Sequence, residues 1–552
     1  MKSCRFLPLV FATLSCSAGR APEPRTTVAD ITEADLRQRL YLIADDSMMG
    51  RESGSLGNYK TAEYVASEFK RLGLEPAGEN GTYFQTVPFW FAAADRQSSI
   101  TARGTKLALA TDFLPLSSSA QPLFLDGVTA IYAGLAGDSS TWISAEQANG
   151  KLLVFDIPPG SPTRASVGSP RWSRAAGVAV VVLDRMGPES VASLYYGRPI
   201  ADSARNPNAR GAMWISRRAA TLMLGADPAT IPVGTSGQAL QGHVDMTRAP
   251  VEYPARNVVA ILRGSDPQLR NEYVALTAHN DHVGFDHAPV DHDSLRAFNR
   301  VVRPMGADSP NRQPTATEWV RIRTLLDSLR RVNPPRLDSI RNGADDDGSG
   351  TVSILEIAEA MSRNGVRPRR SILFVNHVGE EAGLLGSRWY SSHSTVPIDS
   401  IVAEIDQDMV GRGTTSDFPR DGTGAGSATY LEVVGAKRLS HEFGDSLEAA
   451  NARQPAPFVF DYHYDAPGHP LQYYCRADHY NYARYGIPAV AFARGEHLDY
   501  HQVTDEAQYI SYPDLARVTR MVYSGALVIA NMSHRPALDA PKQTNPNAPC
   551  RQ

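Results

Sequence analysis

Five separate stretches of this chain place acidic residues or histidine where an apolar run stops or a helix starts. After the run Ser371–Val375 comes Gly379-Glu380-Glu381-Ala382-Gly383, two adjacent carboxylates ahead of a glycine turn. Val274–Ala278 is followed by His279-Asn280-Asp281-His282. Gly343-Ala344 leads into Asp345-Asp346-Asp347-Gly348-Ser349-Gly350 and then a helical pattern. Val402–Ile405 is followed by Asp406-Gln407-Asp408-Met409-Val410-Gly411, and Ala489–Phe492 precedes Asp499-Tyr500-His501-Gln502. Side chains alternate along an extended chain, so Glu380 and Glu381 point differently. One can bind a metal while the other handles a proton.

The runs themselves define the fold class. Candidate strands at Asn257–Leu262, Tyr273–Ala278, Ser371–Val375, Ile401–Ile405 and Ala489–Phe492 are separated by helical segments, among them Thr351–Met361. Strands alternating with helices predict an α/β domain with a mostly parallel central sheet flanked by helices. Ligands in such sheets gather at the carboxyl ends of the strands, which is where four of the five stretches fall, the fifth being the loop before the Thr351–Met361 helix. Further helices are expected at Ile31–Ala44 and Asn58–Leu72, the second ended by Gly73.

Between about Ser117 and Met246 the texture changes to short β-type runs among Gly, Ser and Pro, without paired catalytic carboxylates or clustered histidines. This predicts a separate, mostly β insert. A second excursion, Asp286–Arg341, opens as a loop rich in His and Asp and closes in a basic amphipathic helix, Glu318–Val332. Its apolar positions Trp319, Ile322, Leu325, Leu326 and Leu329 fit one face, as expected for a surface helix packed on the domain. A lid near the site is the alternative.

Each ionisable stretch taken singly has a structural explanation. A histidine at a strand end is usually hydrogen bonded, an aspartate before a helix caps it, and an Asp pair can sit in a solvated turn. Their joint occurrence favours a metal centre. Two histidines with three carboxylates and no cysteine form a nitrogen and oxygen set that suits zinc, with manganese or cobalt as alternatives. Five ligands are too many for one open tetrahedral ion and suffice for two if a carboxylate bridges.

The motifs resemble the secreted co-catalytic di-zinc aminopeptidase family, whose relatives include glutamate carboxypeptidase II and the transferrin-receptor ectodomain. Met49–Gly54 and Gly81–Gln85 are similar to the family's entry segments, and the insert matches in position its protease-associated domain. The resemblance implies the zinc-peptidase fold, two Zn2+ ions and a peptide substrate. It implies one ion on His279, Asp346 and Asp408 and the other on Asp346, Glu381 and His501, with Asp346 bridging. It makes Glu380 the general base and Asp281 the residue that orients His279. Asp345, Asp347 and Asp406 are near competitors, and His282, His287, Asp291 and His292 add candidate ligands. The implied activity is removal of N-terminal residues from peptides. A carboxypeptidase or dipeptidase, a glutaminyl cyclase and a non-catalytic binding protein are the alternatives, the first drawing cations from Arg312, Arg321, Arg323, Arg330 and Arg331.

The expected organisation is a signal peptide over 1–20, a catalytic part over 21–116, the insert over 117–248, the catalytic domain with the metal site over 249–535 and a tail over 536–552. Lys2 and Arg5 followed by the apolar Phe6–Leu14 read as a short secretory signal, too short to span a bilayer. A secreted or periplasmic protein is expected, with Cys16 a candidate for lipid attachment and membrane tethering. Cys475 and Cys550 are then left to form one disulfide. With 55 basic and 59 acidic residues the net charge is −4, so nucleic acid is not an expected partner.

Overall fold

A computed structural model describes residues 27–116, 122–158, 167–201, 211–332, 334–415, 417–418, 424–539, 545 and 550–552. The expected signal peptide and Cys16 lie outside the described residues. Among the described residues no helix is long and apolar enough to cross a membrane.

A nine-stranded sheet organises the catalytic part. Its strands are β1 (Glu75–Pro76), β2 (Phe84–Val87), β3 (Ala255–Leu262), β4 (Tyr273–His279), β5 (Ser371–His377), β6 (Ile401–Gln407), β7 (Tyr430–Val434), β8 (Val459–Asp461) and β9 (Ala489–Ala493). The order is β1-β3-β5-β4-β6-β9-β7-β8, with β2 also pairing β3. The run β5-β4-β6-β9 is parallel throughout. Antiparallel neighbours, β3 on one side and β7 on the other, flank it.

Every residue of β3, β4, β5 and β6 is buried, which is why these strands read as nearly continuous apolar runs. Their two faces separate by parity. Val258, Ala260, Val274, Leu276, Ile372 and Phe374 pack into one cluster. Val259, Ile261, Tyr273, Ala275, Leu373 and Val375 pack into another, on the opposite side of the sheet.

The first cluster is covered by helices α1 (Glu33–Ile43), α2 (Leu56–Arg71), α3 (Gly350–Arg363) and α4 (Tyr512–Ala530). α2 buries Ala62, Val65, Ala66 and Phe69, one stripe at helical spacing. Arg39 of α1 is fully buried and cross-links the layer. Its Nε donates to Glu356 at 2.7 Å and its Nη2 to Glu359 at 2.5 Å, both on α3, while Nη1 donates to Glu68 on α2.

The insert is a separate set of sheets. Its six-stranded sheet runs Ser236–Ala239, Thr129–Leu135, Leu152–Asp156, Gly177–Val181, Gly211–Ile215 and Phe113–Pro115. Pairing opens this unit earlier than the expected residue 117. Phe89–Ala94 pairs with Arg198–Ala201 and Met246–Pro250, and Ser99–Ala102 pairs with Gln241–Val244. The first residues of the unit are short strands that close its far end, so their partners lie over a hundred residues ahead in sequence.

Residues 285–340 form a cassette on the catalytic part. Phe285–Asp291 pairs antiparallel with Leu337–Ile340 at its base, and helices His292–Val302 and Ala316–Leu329 pack on each other around Ala297, Val302 and Ile322. The second helix buries Ile322 alone, in keeping with the surface reading. The first helix and the turn after it do more. Arg296 and Asn299 reach the loop at 498–499, and Ala307 N–H donates to the Tyr500 carbonyl at 3.1 Å. Cys475 and Cys550 are joined as a disulfide.

Replacing Arg39 by Ala leaves the buried Glu356 without its cation, while Arg71 still holds Glu68 and Glu359. Breaking a buried ion network costs about 3–5 kcal/mol. Chemical denaturation should show that loss in the unfolding of the catalytic part, with the insert's transition unmoved.

Candidate metal centre

The strand tips bring His279, Asp281, His282, Asp346, Glu380, Glu381, Asp408 and His501 to one place. His279 is the last residue of β4 and is 2% exposed. Its Nδ1 lies 3.1 Å from the main-chain carbonyl of Asp281 and 3.6 Å from that residue's carboxylate. The carbonyl is thus the nearer acceptor, and it leaves Nε2 facing the site. The Asp281 carboxylate instead accepts from Ser53 Oγ at 2.8 Å and from the Glu380 N–H at 3.3 Å.

Of the aspartate triplet only Asp346 faces the centre. Asp345 accepts from the Gly411 N–H at 2.6 Å and faces His497 at 3.1 Å. Asp347 accepts from the N–H groups of His279 and Gly350 at 3.0 and 2.8 Å. Asp346 divides its two oxygens. Oδ1 is 3.2 Å from His279 Nε2, and Oδ2 is 3.0 Å from His501 Nε2 and 3.7 Å from His282 Nδ1.

Two donor groups result, and Asp346 belongs to both: His279, Asp346 and Asp408, and His282, Asp346, Glu381 and His501. Asp408 Oδ1 lies 3.7 Å from His279 Nε2. Its competitor Asp406 is turned away, accepting from Thr277 Oγ1 at 2.7 Å and the His479 N–H at 3.3 Å. Glu381 faces His501 at 2.9 Å and His282 at 2.8 Å. The fourth member, His282, is one residue beyond the His-x-Asp pair. His287 stacks on Tyr196 of the insert, while Asp291 pairs with Arg330 and His292 stacks on Tyr509.

Glu380 lies near the donors without belonging to either group, 4.0 Å from His279 Nε2. Burial pushes its carboxyl well above the ordinary range, with Glu381 and Asp408 adding to the effect. Gly379 ahead of it has φ +77°, and a Cβ there would meet the Phe89 ring at 2.3 Å.

The loops that carry these residues are braced from behind. Arg51 is buried and donates to the Gly343 carbonyl at 2.8 Å and to that of Asn342, beside the triplet. The carbonyls of Gly50 and Arg51 accept from the N–H groups of Gly284 and His282. At Gly50, φ is +66° and a Cβ would fall 2.2 Å from the Gly284 oxygen, so glycine is required. On the other side, Asp499 accepts from Arg296 and from the buried Arg412 at 2.6 Å. Burial opposes ionisation of Asp499, and the two guanidiniums overcome it, holding the carboxyl well below its ordinary range.

The donor set fits a divalent cation. His279 Nε2, His282 Nδ1, Asp346 Oδ2, Glu381 Oε1, Asp408 Oδ1 and His501 Nε2 are all buried, and none makes a hydrogen bond. Buried polar atoms are costly unless paired. Burial works against a charged imidazole, yet neighbouring carboxylates hold His279 and His501 well above the ordinary histidine range. The site therefore draws positive charge, and its imidazole and carboxylate donors suit zinc.

A cleft opens from this centre, lined by Asp346, Glu380 and Asp408 and by residues of β7, β9 and the segment 473–477. The arginines of the cassette do not line it: Arg312 pairs with Glu318 and Arg330 with Asp291.

Residues 257–526 match the model of peptidase family M28. A "Probable leucine aminopeptidase" of Arthroderma otae is 32% identical over 148 residues, which is 24% of this chain and 41% of that protein. "Leupeptin-inactivating enzyme 1" of Streptomyces exfoliatus is 32% identical over 120 residues, 19% of this chain and 27% of that protein. The chain thus spans less than half the length of these relatives. Among solved structures, an aminopeptidase from Aneurinibacillus sp. strain AM-1 superposes with a TM-score of 0.53 at 17% identity, covering 90% of this chain and 93% of that one. That likeness is one of fold.

Asp281→Asn retains the carbonyl that faces His279 and weakens the acceptor that holds the Glu380 N–H. Zinc content should be unchanged while kcat falls about 10- to 100-fold. Metal analysis beside steady-state kinetics checks this. Loss of metal would instead assign the orientation of His279 to the carboxylate.

Proposed function

We propose that this protein, whose residues 257–526 match the model of peptidase family M28, is a zinc aminopeptidase with two ions at the strand tips. The observation that carries the reading is the division of the Asp346 carboxylate between two donor groups. His279, Asp346 and Asp408 would hold one ion, and Asp346, Glu381 and His501, with His282, would hold the other. When bound, zinc supplies Lewis acidity to a substrate carbonyl and lowers the pKa of a water toward neutrality.

Glu380 does the proton work. It borders both donor groups, lines the cleft and is spent on neither ion. Its carboxylate takes a proton from the attacking water as the new C–O bond forms. It returns that proton to the amine nitrogen as the C–N bond breaks. The Asp281 carboxylate fixes Glu380 through its backbone N–H, so base and imidazole are positioned by one residue.

The direction of attack follows from the charges of the cleft. A carboxypeptidase needs a cation free for a terminal carboxylate. Among the described residues lining the cleft the cation is Arg476, and Asp308 at 2.5 Å and Glu496 at 3.3 Å already hold it. The carboxylates in excess favour a free ammonium. Two donor groups argue against a single-zinc cyclase, and a complete donor set with its base argues against a binding module.

Glu380→Gln should retain both ions and lose about 10²- to 10⁴-fold in kcat. Full turnover by that variant would end the assigned role. Elemental analysis should return two zinc ions per chain. In His282→Ala one ion should bind about 10- to 100-fold more weakly while the other holds, as read by chelator competition. Aminoacyl anilides should be cleaved and N-blocked peptides left intact.

A further inference from the structure

The cleft beside the metal centre contains acidic groups that catalysis does not use. Glu432 is 2% exposed and Glu496 is 7% exposed, and both line it. Glu496 Oε1 faces Arg476, while its Oε2 has no hydrogen-bond partner. Tyr473, 9% exposed, also lines the cleft, with its hydroxyl beside the Glu496 carboxyl. Arg476 is the counter-charge, and Asp308 of the cassette shares it. Asp308 and Glu496 thus share one guanidinium, and Glu432 is a further carboxyl of the same cleft. Burial, then Asp308, pushes Glu496 up to about 8, and burial with Glu496 pushes Glu432 well above its ordinary range. These carboxyls lack positive charge.

The sheet gives the spacing. β9 lies between β6 and β7. Gln407 pairs with Phe492 and Glu432 with Ala493, so Asp408, Ala493 and Glu432 fall on one lateral line across three strands. Two strand spacings separate Asp408 from Glu432, roughly 10 Å between backbones. The wall along this line is small and apolar: Ala491, Ala493, Val434 and Ala477. A side chain attached at the metal centre would cross that wall before meeting a carboxylate. A stem of three or four methylenes with a charged head matches such a path.

We propose that this cleft is the pocket for the substrate's N-terminal side chain and that it selects lysine and arginine, whose cationic heads pair with Glu432 and Glu496. The small apolar wall takes the methylene stem, and the Tyr473 hydroxyl accepts a further N–H. Leucine fills the wall and leaves the buried carboxyls without a partner, a penalty that favours the basic residue. The inference rests on the aminopeptidase reading.

The test uses the full zinc-loaded chain and the p-nitroanilides of Lys, Arg, Leu and Glu. Lys and Arg should exceed Leu in kcat/KM by about tenfold or more, with Glu the poorest. In Glu432→Gln and Glu496→Gln the Lys-to-Leu ratio of kcat/KM should fall about tenfold or more. A variant-free measurement guards against misfolding: lysinamide should inhibit the unaltered enzyme more strongly than leucinamide. Preference for Leu, or an equal fall for every substrate in the variants, overturns the pocket assignment and leaves the aminopeptidase reading standing. Absence of turnover with all four anilides overturns both.

Discussion

The constraint behind this structure is the concentration of negative charge at the tips of four strands. Asp346, Glu380, Glu381 and Asp408 converge within a few ångströms of two imidazoles, away from bulk water. Like charges so placed in a buried site repel strongly unless a cation joins them. Much of the surrounding architecture manages that repulsion. Asp345 and Asp347 are neutralised by backbone N–H groups rather than added to the cluster. Asp499 takes two guanidiniums. Arg51 ties the triplet's turn to the amino-terminal segment through carbonyls, so its charge sits behind the centre rather than in it.

This division of labour explains how adjacent residues take different tasks. Along Asp345–Asp347 and along Asp406–Asp408, the identity of the residue says little about its role. What decides is whether backbone donors already occupy the carboxylate. Asp406 finds Thr277 and the His479 N–H, and Asp408 finds none. Met409, whose φ is +60°, follows it as the strand ends, and Asp408 faces the His279 imidazole.

The central strands were legible because both of their faces are buried. Their apolar runs stand out without reference to any partner, and the five expected strands fall within those observed. The ionisable stretches were legible for the same reason: four follow such a run, and the Asp345–Asp347 triplet precedes a helix. Other features depend on contacts between distant segments. The strands Phe89–Ala94 and Ser99–Ala102 pair with residues beyond 198, so nothing local assigns them to the insert. His282 carries no spacing that marks it as a donor. It joins Glu381 because β4 and β5 are hydrogen-bonded neighbours in parallel register. Glu432 lies inside a buried strand and reads as an irregularity in an apolar run until β9 is placed beside it.

The cassette at 285–340 has its two ends joined by one antiparallel strand pair. An excursion closed at its base in this way can lengthen, shorten or be replaced without rethreading the sheet beneath it. Its contacts with the sheet-bearing part include Arg296 on Asp499, Arg336 on Glu506 and Asp308 on Arg476. The first of these steadies the loop before His501, and the last sets the charge of the cleft. Exchange of such a peripheral module would therefore alter both the charge of the cleft and the support of the loop that carries His501.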